Sequence, residues 1–331
     1  MRDLIKEEEF YNREFKFSYS SLNKLLFSPK LFYKDYILKE REPKTDKHLI
    51  EGKLLHLMLL QPEKLHDEFS IVPSKLPSDN IRKVLKAIND RFYDPNNYIK
   101  LKDLDNEIIQ ALEDNNLYQS FKDDSKKLFK IQTEENEEYY KFLCQDKSKD
   151  IIDNDMLTKA IERVKLIKEN KNVMSLMEEK VTDFELDPIE IYNEKYLECE
   201  LYDYKFGLKG YIDRYIIDHE SKEITIIDFK TTSKGLEKFA ETVDYYNYWM
   251  QMVIYTTLVI KNCDKKTIDY KITFKFVVID SYDQIYIFDI TDKTKQMWWE
   301  AFHDNLFSAD YHYTNKDYSL PYQFANNNVI L

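Results

Sequence analysis

The chain has 331 residues, 43% of them apolar and 33% charged, enough for one large domain or two small ones around a well-buried core. Its 26 tyrosines and 20 phenylalanines exclude intrinsic disorder. A net charge of -12 argues against indiscriminate coating of nucleic acid but not against a local basic channel: residues 101–160 hold 15 acids against 9 bases, whereas residues 24–53 hold 8 bases against 5 acids.

In chain order, the opening MRDLIKEEEF carries acids and no long apolar stretch, so it does not read as a secretory signal. SYSSLNKLLFSPKLFYKDY (18–36) begins with capping serines, then Leu22, Leu25 and Leu26 at helical spacing. Ser28-Pro29 ends that helix and starts another. Residues 51–60 form a helix apolar nearly all round and therefore buried, and its run LLHLMLL is too short to span a bilayer. Residues 79–121 read as helices with polar breaks, including DPNN near Pro95. Residues 127–132 and 138–145 alternate well enough to predict a hairpin around EENEE. An amphipathic helix is expected over 156–179, with Leu157, Ile161, Val164 and Ile167 on one side.

A β-rich stretch follows, with strands over 189–204, 208–217 and 223–230. A helix covers about 237–261, strands cover 270–279 and 284–290, and a last helix near 293–307 precedes an irregular tail. There is no internal repeat and no Gly/Ser linker. The expectation is a single α/β domain, residues 1–331, with a central mixed β-sheet flanked by helices and a helical insertion near 80–180. The three cysteines, Cys144, Cys199 and Cys263, are far apart and make neither a disulfide framework nor a zinc ribbon nor a four-thiolate iron–sulfur site. A reducing cytoplasm is the natural place for such a chain.

The segment GYIDRYIIDHESKEITIIDFKTT (210–232) carries the chemistry. Strand alternation puts Asp213, Tyr215 and Ile217 on one face, and Ile224, Ile226, Asp228 and Lys230 on one face of the next strand. A hairpin with the loop His219–Lys222 pairs Asp218 with Glu223, and counting back sets Asp213 opposite Asp228. Carboxylates roughly 5 Å apart repel and need a cation or a shared proton. Hard oxygen ligands suit Mg²⁺ or Mn²⁺, and Lys230 on the same face can neutralise developing phosphate charge. Acids and lysines at strand ends are commonly solvated decoration, but Asp228 follows the apolar run ITII, which argues against a fully solvated position.

Two further features bear on the same chemistry. Gln251 and Tyr255 are four apart on one face of an apolar helix, as either a satisfied core pair or a pair that orients the lysine, water or a phosphate. His56 sits one turn after Gly52 on the buried 51–60 helix, as either a hydrogen-bonded core histidine or a metal ligand. Lys24, Lys30 and Lys34 are either a solvated helix face or the start of a channel for DNA.

Taken together, these segments resemble the PD-(D/E)XK nuclease superfamily, in particular phage-type exonucleases like exodeoxyribonuclease VIII (RecE-type) and RecB-like and CRISPR-associated nuclease domains. SYSSLNKLLFSPKLFYKDYI looks like that group's S-x-S-x-L…SP-x-x-F element, and EGKLLHLMLLQPEKLHDEF like its G-x-x-x-H helix with a Pro-Glu turn. GYIDRY, IIDFKTT and YNYWMQMVIY look like its G-x-I-D, D-x-K-T and Q-x-x-x-Y series. The match touches roughly residues 18–70 and 195–260. It implies a restriction-endonuclease-like core, with Asp213, Asp228, Lys230, Gln251 and Tyr255 as the catalytic set. It further implies a Mg²⁺ or Mn²⁺ ion held by His56, Asp213, Asp228 and the Phe229 carbonyl.

The D/E slot holds Asp228, which the pattern allows, and Ser28 stands where cluster-bearing relatives place a cysteine, so no iron–sulfur cluster is expected. The implied function is a Mg²⁺-dependent deoxyribonuclease, an exonuclease on linear duplex DNA in phage-type recombination or DNA processing. A resolvase-like endonuclease and a non-catalytic nucleic-acid-binding module are the alternatives. The implied partner is DNA. A single-strand annealing protein and a homo-oligomer are compatible with it, a membrane is not, and the setting is the cytoplasm of a bacterial or phage-infected cell.

Overall fold

The computed structural model describes residues 2–41, 46–92, 97–177 and 188–325. Most of the DPNN break, the last two residues of the expected 156–179 helix and the end of the tail lie outside the described residues. Contacts divide the chain into two compact units, one made of Met1–Asp46 with Lys165–Leu331 and the other of Lys47–Val164.

The first unit opens with α1 (Arg2–Tyr11), the short strand β1 (Phe15–Phe17), α2 (Tyr19–Phe27) and α3 (Pro29–Phe32), which runs on into a wider turn over Tyr33–Ile37. The serine cluster starts α2 as a reciprocal cap: the Ser21 amide donates to Ser18 Oγ (3.2 Å) and the Ser18 amide to Ser21 Oγ (2.8 Å). Ser28 caps α3, with Pro29 at the first helical position, as the sequence predicts.

The second unit contains α4 (Lys47–Leu60), α5 (Leu65–Glu68), β2 (Phe69–Ile71), α6 (Asp79–Phe92), α7 (Asp105–Asp114), α8 (Asp124–Ile131), α9 (Glu134–Leu143), β3 (Asp150–Ile152) and most of α10 (Asn154–Glu169). It has two small cores. One gathers Val84, Ile88, Ile108, Leu112, Ile131 and Tyr140; the other gathers Leu54, Phe69, Ile152 and Met156, and β2 and β3 pair in parallel beneath it. The hairpin expected around EENEE is instead two helices. Thr133 caps α9, its Oγ1 accepting from the Asn136 amide, and Glu134, Glu135 and Glu137 crowd the first turn, where the positive end of the helix dipole favours them. Buried Asn136 then donates to the Lys130 and Ile131 carbonyls and closes the end of α8. The acidic run is a helix start, not a turn.

The first unit resumes with α11 (Lys171–Met177) and the long strands β4 (Ile189–Glu200), β5 (Phe206–Asp218) and β6 (Glu223–Thr231). There follow α12 (Phe239–Tyr246), α13 (Tyr248–Asn262), β7 (Lys271–Ile279), β8 (Ile285–Asp289), α14 (Asp292–Asn315) and α15 (Tyr322–Ala325). The helix expected over 237–261 is broken at Asn247, which takes a left-handed conformation (φ 57°, ψ 39°) that asparagine tolerates. The last helix runs well beyond 307 because Phe302, Leu306, Ala309 and Tyr313 keep one face in the core.

The sheet is mixed, in the order β1-β5-β6-β7-β8 with β4 on the other edge of β5. This is the α/β architecture expected from the sequence. β6 and β7 are parallel, joined by the α12–α13 crossover, while β4–β5, β5–β6 and β7–β8 are antiparallel. β1 and β6 share one edge of β5 at different ends. β1 pairs with residues 206–208 and β6 with residues 214–218, so the sheet forks at residues 209–213.

Candidate active site

The fork positions the acids. From Asp218↔Glu223 the register steps back one for one to Arg214↔Ile227, as counted from the sequence. One step further along the same register, toward Asp228, the Asp213 side chain reaches β6: its Oδ2 accepts the Phe229 amide at 2.8 Å. Asp213 is buried, and burial pushes its carboxyl up from the ordinary 3.8 to about 6, against the pull of nearby Lys230 and the Phe229 amide.

Asp228 is fully buried and forms a close ion pair with Lys230, two residues on along the same face of β6. Burial lowers the Lys230 ammonium, but the charges of Asp228 and Asp213 outweigh it and hold the group above its usual value. The ammonium also lies 4.8 Å from the centre of the Tyr248 ring. Lys230 is therefore a firmly protonated cation placed among carboxylates.

A third acid joins them from β4. Glu194 and Asp213 are opposite each other, the pair skipped between Asn193↔Arg214 and Lys195↔Ile212. Glu194 has φ 46°, a left-handed kink that interrupts the ladder without shifting its register. A carboxylate oxygen of each comes within 4.8 Å of the other. Two hard oxygen donors so close, one already driven toward neutrality by burial, suit a Mg²⁺ or Mn²⁺ ion by charge and by donor type.

The helix α13 covers this group. Gln251 and Tyr255 are both buried, and Gln251 Nε2 donates to the Tyr255 hydroxyl at 2.7 Å. Burial and the charges of Asp213 and Asp228 raise the Tyr255 hydroxyl well above its ordinary value, with a smaller push from Glu194. Gly210 lets α13 come this close, because a Cβ there would lie 3.1 Å from Tyr255 Cε1 and 3.3 Å from Leu258 Cδ1. The start of α13 is fixed from α2. The Tyr19 hydroxyl and Asn23 Nδ2 both donate to the Tyr246 carbonyl, and Asn247 Nδ2 donates to Asn23 Oδ1 at 2.8 Å. The SYSSLN segment thus serves the site by holding the corner from which Gln251 and Tyr255 are hung.

The structure brings Asp213, Asp228, Phe229, Lys230, Gln251 and Tyr255 together. His56 lies half-buried on α4 in the second unit. Lys24 is half-buried and engaged with Asp35, while Lys30 and Lys34 are exposed. Glu194 escaped the sequence reading, as did Tyr248 and the tie from Tyr19 and Asn23. Only the count back along the β4–β5 pairing, which brings residue 194 against 213, could have flagged the glutamate.

A half-buried lysine thus lies beside the carboxylates of Asp213 and Asp228 at the fork of a mixed sheet, with Glu194 next to Asp213. The family model described as the PD-(D/E)XK nuclease superfamily matches residues 16–278, and the chain belongs to that superfamily. The matched span runs from within β1 to within β7 and so contains every residue placed at the fork. Membership supports a nuclease as the function. No curated protein matches the chain. Among solved structures, one named "Putative exonuclease" from Eubacterium rectale aligns over 100% of this chain and 91% of its own, at 13% identity and a TM-score of 0.48. No described helix is long and apolar enough to cross a membrane.

Proposed function

We propose that the chain is a divalent-metal-dependent deoxyribonuclease, an exonuclease on linear duplex DNA in phage-type recombination or DNA processing, working as one nuclease domain with a helical insertion near residues 80–180. The observation that carries this reading is the clustering of Asp213, Asp228 and Lys230 at the strand fork, with Glu194 beside Asp213. Asp213 and Glu194 offer carboxylate oxygens to an ion. Asp228, the Phe229 carbonyl and His56 join them as ligands on the strength of the sequence motifs. A bound Mg²⁺ or Mn²⁺ supplies Lewis-acid polarisation of the scissile phosphate.

The chain's own groups do the rest. The Lys230 ammonium would offset the negative charge on the phosphate oxygens as a water oxygen bonds to phosphorus, giving up a proton, and the bond to the leaving oxygen breaks, that oxygen taking up a proton from solvent. Gln251 and the protonated Tyr255 hydroxyl, bonded to each other beside the acids, present polar groups that orient a water or a phosphate. Exposed Lys30 and Lys34 attract the DNA backbone. DNA is then the first partner, with a single-strand annealing protein as a second in recombination, in the cytoplasm of a bacterial or phage-infected cell.

The test is digestion of end-labelled linear duplex DNA beside covalently closed circles, with Mg²⁺ or with chelator. Stepwise loss of label from the linear DNA only, abolished by chelator and by Lys230→Ala, is the expected result. Cutting of closed circles moves the assignment to an endonuclease. No metal-dependent cleavage of any DNA or RNA leaves a binding module.

A further inference from the structure

From Lys230 a run of aromatic rings leads out to solvent. The lysine ammonium lies 4.8 Å from the centre of the Tyr248 ring. Tyr248 stacks on Tyr246, with centroids 5.5 Å apart and planes 25° from parallel. Tyr246 meets Tyr245 edge to face at 4.9 Å. Lys234 Nζ stands 6.0 Å from the Tyr245 ring centre, so a second cation closes the outer end. Tyr245 is 75% exposed and Tyr246 48% exposed. The backbone beneath them is pinned, since the Tyr246 carbonyl accepts from Tyr19 and Asn23. These are exposed rings on a fixed corner, with an ammonium near each end.

We propose that Tyr245 and Tyr246 form a stacking platform for unpaired nucleobases, which holds a single-stranded or frayed end of the substrate beside Lys230. This rests on the nuclease reading above and names the form of nucleic acid that reaches the site. Inside a duplex both faces of a base are covered by its neighbours, so only an unpaired or terminal base has a face free for a tyrosine. Stacking of a base on an aromatic side chain is worth about 1–3 kcal/mol and tolerates any sequence. Lys234 and Lys230 supply the charge complement for the phosphates on either side of such a base. The rings, not the lysines, make the platform select unpaired bases over double helix.

The test is fluorescence anisotropy of a labelled oligothymidylate with the full chain, in chelator so that nothing is cut. Tyr245→Ala should weaken binding roughly 5- to 150-fold, the equivalent of that stacking energy. Tyr245→Phe, which keeps the ring, should bind as the wild type does, and unchanged thermal melting of both variants shows that the exposed position serves no structural need. A strand abasic at every position should bind the wild type at least as weakly as the intact strand binds Tyr245→Ala, and a covalently closed circular duplex, which has no terminal base, should bind all three proteins alike. Equal affinity of Tyr245→Ala and wild type for oligothymidylate overturns the platform, as does tight binding of the abasic strand. A chain that cleaves DNA with Mg²⁺ but is indifferent to Tyr245→Ala loses the platform and keeps the nuclease. A chain that holds oligothymidylate through Tyr245 yet cleaves nothing keeps the platform and loses the nuclease.

Discussion

Asp213→Asn should make the metal-free protein more stable at neutral pH while removing an ion ligand. In the folded chain the Asp213 carboxyl titrates at about 6, against 3.8 for an ordinary aspartate, chiefly because it is buried. The folded state then binds this proton more tightly than the unfolded chain. Its contribution is fully present below about pH 4 and is lost as the pH rises to about 6. The span between the two values corresponds to about 3 kcal/mol. An asparagine has the same shape, still accepts from the Phe229 amide, and has no charge to bury. Denaturant unfolding of wild type and Asp213→Asn in chelator, from pH 4 to pH 8, measures the effect. The variant's relative stability should rise by up to about 3 kcal/mol across this window and then level off. Mg²⁺ should narrow the gap at pH 8 by stabilising only the wild type. A stability difference that stays flat with pH, or a variant weaker than wild type at pH 8, refutes the argument that burial of an ionised Asp213 is what strains the ion-free site.

Lys230→Met keeps most of the stem but takes the ammonium from a fully buried Asp228. Removing one partner of a buried pair costs about 3–5 kcal/mol, so the denaturant midpoint should fall clearly in chelator, and activity should vanish with Mg²⁺ present. Gly210→Ala places a methyl group 3.1 Å from the Tyr255 ring and should cost about 1–3 kcal/mol by overpacking. Because Tyr255 gives way first, nuclease activity should fall further than thermal stability does, and a variant with wild-type activity would show that Tyr255 has no positional role.

The parts of the fold that could be read from the sequence were those fixed by local pattern. Ser18 and Ser21 announce their cap, Ser28-Pro29 its break, and the apolar alternation of β5 and β6 gives both strands and their shared register. That register is set by a four-residue turn, so a count of a few residues from Asp218 and Glu223 reaches the two aspartates. The EENEE region misled because short alternation and helical spacing overlap over six residues. The deciding contacts, the Thr133 cap and Asn136 closing α8, are side-chain hydrogen bonds that periodicity does not register.

Glu194 was out of reach for a different reason. Nothing in YNEKY separates it from the other acids of β4, and its role depends on a pairing with a residue nineteen positions away together with a backbone kink. The kink also bears on why the site tolerates so much like charge. A left-handed glutamate costs about 1–3 kcal/mol, and a regular strand would avoid that cost while leaving residue 194 opposite 213. The kink persists at the one step where the β4–β5 ladder is interrupted, beside the step where the β5–β6 ladder ends. At that step the Asp213 carboxylate accepts from the Phe229 amide of the neighbouring strand and lies beside Glu194 and Lys230, so the groups that set its charge converge on one position of the sheet.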